Sequence, residues 1–138
     1  MGIPKNKDAR QFYRAAEQRW EDAQFLFDSE RTTAAVYLAG YSVECMLKAL
    51  ILSQAPNDEK ENVLKAFRGS VAHKYDWLRF MYMGCGGPRF PKEIVEAFVI
   101  VEDWGTDLRY QPGTIPVESA EEFLAAVRQI RNWANARL

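Results

Sequence analysis

The chain has 138 residues, 48% of them hydrophobic and 13% aromatic, with a formal charge of -1. That length and composition predict one packed domain over 1–138, with a core from about 8 to 137, and exclude a disordered chain. They also exclude a global positive field that would draw the protein onto nucleic acid.

In chain order, the first predicted helix covers about 8–29. Tyr13, Ala16, Trp20, Ala23 and Phe27 recur at spacings of three and four, which lines one helical face. Its polar residues Arg14, Glu17, Glu21 and Asp22 fall mostly elsewhere. The break at 29–32 is short, so the next helix should return antiparallel. That second helix, 32–54, is apolar nearly all round, as the central helix of a bundle would be, and Pro56 and Asn57 end it. A short helix over about 58–67 comes next, with its charge run Asp58-Glu59-Lys60-Glu61 read as a solvated face. Then come a loop at Arg68-Gly69-Ser70 and a helix over 73–83 with Trp77, Leu78 and Met81 on its apolar side.

Gly84-Cys85-Gly86-Gly87-Pro88 reads as a connector, because it lacks the strand, lysine and hydroxyl of a phosphate-binding loop. A fourth main helix starts near Pro91 and carries Ile94, Phe98 and Val101 to about 103. The segment 104–116 holds two glycines and two prolines and is too interrupted for helix. A last helix is capped near Ser119, with Glu118, Glu121 and Glu122 at its positive end. No segment alternates with period two. The expected fold is all-α, an up-and-down bundle of four to five helices.

Cys45 and Cys85 read as two reduced thiols, and with one histidine they are too few for an ordinary structural zinc site, so neither a metal nor a cofactor is expected. The start MGIPKNKDAR has no apolar run behind it, and no stretch reads as the roughly 20 apolar residues of a membrane span. A cytoplasmic protein without membrane contact is expected.

On the second helix, Tyr37, Tyr41, Glu44 and Lys48 are spaced four, three and four and fall within a wedge of about 60°. Charge on an otherwise apolar helix needs a partner or a purpose. It is either the wall of a ligand groove or a pair fixing helix or subunit packing.

The run FYRAAEQRWEDAQFLF followed by AAVYLAGYSVECMLKALI resembles the first two helices of HEPN-domain proteins. His73-Lys74-Tyr75-Asp76-Trp77-Leu78 is similar to the start of that family's third helix, and Trp104…Leu108-Arg109-Tyr110 to its segment before the last helix. The resemblance runs from about Phe12 to the C-terminus. It implies a helical bundle that commonly forms homodimers, in families of RNA-cleaving toxins and defence effectors, some paired with a separate nucleotidyltransferase. Its nuclease members use R-x4-6-H, in which arginine stabilises phosphate charge and histidine handles protons.

This chain departs from that pattern. Its one histidine, His73, has Arg68 five residues before it, but Gly69 and Ser70 between them read as loop. Arg131-Asn132 resembles the opening of the motif and has no histidine after it. Arg109 and Tyr110, in a loop, either bind phosphate beside Glu44 and Lys48 or staple the loop through Glu44 or Asp107. His73 either caps its helix or takes part in catalysis, with Asp76 placed to orient it.

The leading expectation is therefore a dimeric HEPN protein of toxin–antitoxin or defence type. It binds a nucleotide- or RNA-type ligand, or a protein partner of nucleotidyltransferase type, through Tyr37, Tyr41, Glu44, Lys48, Asp76, Arg109 and Tyr110. The alternatives are a metal-independent ribonuclease toxin using His73 with Arg68 or Arg109, and a purely structural interaction module.

Overall fold

A computed structural model describes residues 2–138, with the side chains of Thr106 and Arg109 outside the described set. Six α-helices are found among the described residues: α1 Lys7–Asp28, α2 Thr32–Gln54, α3 Lys60–Ala66, α4 Tyr75–Gly84, α5 Lys92–Val101 and α6 Val117–Asn135. Single 3-10 turns precede α3 at Asn57–Glu59 and separate α5 from α6 at Thr106–Tyr110.

Asn6 caps α1 by accepting the Ala9 N–H at 2.8 Å. The reversal into α2 is a Schellman turn: Glu30 takes φ 65, its N–H reaches the Phe27 carbonyl, and the Arg31 N–H reaches that of Leu26. This closes the α1–α2 hairpin, in which Ala9, Ala16, Trp20 and Ala23 of α1 are buried. Small residues at three of those four places let the two helices approach closely.

α2 is the axle of the bundle, in contact with α1, α3, α4 and α6, while α5 packs on α6. Its Val43, Met46, Leu47, Leu50, Ile51 and Leu52 are all but sealed from solvent. Among the described residues α2 is the one helix long and apolar enough to cross a membrane, contrary to the sequence reading that no such run exists. Its apolar surface is spent on the other helices, and 83% of that window is buried.

The sequence boundaries shift at several places, among them α3, which starts at Lys60 behind a 3-10 turn, and α4, which takes in Gly84 of the expected connector. The third main helix begins at Tyr75 rather than at His73, because Lys74 is extended at φ -87, ψ 126. α5 stops at Val101, two residues early, and lets Trp104 turn inward. α6 starts at Val117, directly behind Pro116, whose ring holds φ at -54. The strap leading to it is pinned to the start of α2: Thr32 donates to the Ile115 carbonyl at 2.6 Å and Thr33 to that of Gly113 at 3.0 Å.

Candidate functional site

The four polar residues of α2 do share a face, but the helices divide them. Glu44 and Lys48 are each only 7% exposed, and the ammonium meets Oε2 at 2.8 Å. The Lys48 Nζ also lies 5.7 Å from the Phe12 ring and 5.4 Å from the Phe67 ring. α1 and the end of α3 therefore close over the pair, which is satisfied within the chain. The pair is enclosed by these rings and removed from solvent. Tyr41, 37% exposed, is the outermost of the four. Burial, then Cys45 and Glu44, hold its phenol above the usual range. Burial pushes the neighbouring Cys45 thiol up to about 12, so it stays protonated and unreactive at neutral pH.

Tyr37 belongs to a different structure. Its ring stacks on Trp104 at 5.9 Å, and Tyr75 also stacks on Trp104, at 5.4 Å with an interplanar angle of 11°. The Trp104 Nε1–H donates to the Tyr37 carbonyl at 3.0 Å, and the Tyr75 hydroxyl donates to that of Gly40 at 2.8 Å. Gly40 makes this possible: a Cβ there would lie 2.2 Å from the indole. A glycine inside a helix costs about 1 kcal/mol against alanine, and here it admits the ring that joins α2, α4 and the strap. Burial, followed by Glu44, raises the Tyr75 phenol well above its usual range. Sequence reasoning misses both Tyr75 and this use of Trp104. The signal that could have found them is the lone Gly40 in an otherwise unbroken apolar helix.

Beside the stack, a recess of about 290 Å³ opens at the first turn of α4. Tyr75, Phe98 and Trp104 form its floor, and His73, Lys74, Asp76, Arg79 and Glu102 its rim. Arg79 lies 2.8 Å from Asp76 and stacks its guanidinium over Phe98 at 4.6 Å, while its buried Nε has no hydrogen-bond partner. Lys74 is exposed and His73 half-buried. Lys74, Arg79 and His73 thus share with the carboxylates Asp76 and Glu102 a helix start whose free N–H groups favour an anion. Asp76 is on the rim, three residues after His73. Tyr110, 78% exposed, ends the strap's 3-10 turn, and the Arg109 side chain lies outside the described residues.

The arginines of the motif lie elsewhere. Arg68 is exposed in the turns of 67–74, so Arg68 and His73 do not share a helix. Arg131, on α6, is 6% exposed, donates to Glu17 Oε1 at 2.6 Å and packs over Trp20. Two residues on, Trp133 touches Tyr82 near the end of α4, about 10 Å of helix rise from Tyr75 and the recess. Arg131 is thus engaged by Glu17 and Trp20 of α1, whereas His73 stands just before α4.

In the connector, Gly87 faces the Tyr82 ring, which a Cβ would meet at 2.6 Å, and Gly86 takes φ +98. Gly86 answers to backbone geometry and Gly87 to the packing of a ring. Among the described residues no group of three or more His, Cys, Asp or Glu side chains converges as metal ligands would.

Compared with known proteins, residues 9–137 match the family model described as HEPN domain. No curated protein and no solved structure matches the chain.

Proposed function

The chain belongs to the HEPN domain family, and from that premise we propose that it is a homodimeric binding module that holds a nucleotide- or RNA-type anion without cutting it. What supports the reading is that Arg68 lies in the turns before His73 and not on a shared helix, and that Arg131 is engaged elsewhere. The histidine stands at the recess by the start of α4, while Arg131 is locked on Glu17. Phosphodiester cleavage by the Arg–His chemistry of the resemblance needs both groups on one phosphate, within about 3 Å of the atoms they serve.

Binding asks for less. Lys74 and His73 beside a helix N-terminus, with Arg79 behind them, are enough to hold a phosphate. The recess floor is already stacked within itself, so the anion, not the base, is the group recognised there. The sealed Glu44–Lys48 pair is assigned to packing, and the anion-contacting set narrows to His73, Lys74 and Arg79, with Asp76 holding Arg79. A toxin–antitoxin or defence setting, with a nucleotidyltransferase-type partner, is the biological context that suits such a module.

The test is incubation of the purified protein with end-labelled single-stranded RNA, alongside His73→Ala. Intact RNA in both reactions is the expected result. Cleavage by the unmodified protein that disappears in His73→Ala would overturn the reading in favour of the ribonuclease.

A further inference from the structure

The outward face of α1 carries a pattern that the bundle does not use. Lys7, Arg10, Arg14, Glu21, Phe25 and Asp28 lie within a wedge of about 60° opposite the buried Ala9, Ala16, Trp20 and Ala23. Together with Gln18 they step along the helix by three, four, four, three, four and three residues, the rhythm of a coiled-coil seam. The charges are segregated: the first half of the face is basic and the second acidic. Lys7, Arg14, Glu21 and Asp28 are exposed and have no ion-pair partner in the chain among the described residues. Phe25 is 70% exposed on the same line.

We infer that this face is a self-complementary docking surface for a second copy of the chain, packed α1 against α1 in antiparallel fashion. The inference adds the interface to the proposed homodimer and rests on that reading. Charge complementarity selects the occupant. Laid antiparallel about the middle of the helix, Lys7 falls opposite the partner's Asp28 and Arg14 opposite the partner's Glu21, because each pair of numbers has the same sum. Arg10 falls opposite the partner's Phe25, and its guanidinium is already held by the Pro4 and Lys5 carbonyls, at 3.3 and 2.9 Å. That places a pre-ordered cation against an exposed aromatic ring. A two-fold axis makes every such contact twice, as an isologous interface requires. A parallel arrangement would set like charges together along the whole seam. Because the contacts are ionic and exposed, the dimer is expected to weaken with salt.

The experiment is sedimentation equilibrium at low and high salt on the full chain and three variants. Arg14→Glu and Glu21→Arg should each weaken the dimer by about tenfold or more, and Arg14→Glu combined with Glu21→Arg should restore it. Gln18→Cys, with Cys85→Ser to remove the other accessible thiol, should oxidise to a covalent dimer across the axis. A dimer indifferent to both single charge reversals overturns the inference and leaves the homodimer standing. A protein monomeric throughout overturns both. Should the basic half instead serve an extended polyanion, Glu21→Arg would tighten binding of a labelled oligonucleotide, the combined variant would not restore self-association, and the inference fails.

Discussion

Two neighbouring regions share Tyr75 and Trp104 and use their polar groups in opposite ways. On the α2 side, Glu44 answers Lys48, the Tyr75 hydroxyl and the Trp104 N–H each reach a backbone carbonyl, and solvent is excluded. On the α4 side, Lys74 is exposed, the Asp76 side chain is 90% exposed, and the Arg79 Nε is buried without a partner. The first region is complete within the chain, and substitutions there should cost stability. The second has capacity left over, and substitutions there should cost binding.

The hardest blow to the first region is removal of half its ion pair. Glu44→Ala or Lys48→Ala should each lower unfolding free energy by roughly 3–5 kcal/mol, because a lone charge is left among rings. Chemical denaturation would measure it. Glu44→Leu combined with Lys48→Met should recover most of that loss, which a ligand-binding pair would not require. Next comes Gly40→Ala. Its Cβ would collide with Trp104 at 2.2 Å, so about 1–3 kcal/mol should be lost, with the Trp104 fluorescence environment changing as the ring is expelled.

A smaller effect comes from pH. The Cys45 thiol is pushed from 9.0 up to about 12 by burial. Between those values the unfolded chain loses this proton and the folded one keeps it. Stability should therefore be unaffected by this group below about pH 9 and fall above it, by up to about 1.4 kcal/mol per pH unit. Tyr75, also raised by burial, acts in the same direction at still higher pH. Urea midpoints between pH 8 and 10.5 would show the slope, and Cys45→Ala should reduce it, leaving the smaller share of Cys85, also raised by burial. The smallest stability change belongs to the second region. Asp76→Ala should cost only a few tenths of a kcal/mol, since its pair with Arg79 is exposed.

Much of the first region is legible in the sequence because a helix obeys a fixed angle. The spacing of Tyr37, Tyr41, Glu44 and Lys48 is enough to put them on one face, and the choice between groove wall and packing pair needs only the positions of Phe12 and Phe67. Those positions depend on how α1 and α3 meet α2, which no local pattern records. Trp104 reads as part of an interrupted loop, and its insertion over Gly40 joins residues far apart in the chain. Arg131 draws notice in the sequence only through the histidine missing after it, yet its partner Glu17 lies 114 residues away. The recess is half visible: His73 and Asp76 stand out in the sequence, while Lys74 and Arg79 join them only because the helix starts at Tyr75.

The most direct test of the anion-holding recess is fluorescence anisotropy of a labelled single-stranded RNA against the unmodified protein and Lys74→Glu at one fixed salt concentration. Lys74 is exposed, so the variant should fold with unchanged stability. Binding weakened about tenfold or more, with the RNA intact afterwards, is what such a recess requires. Equal binding by the two proteins would contradict it.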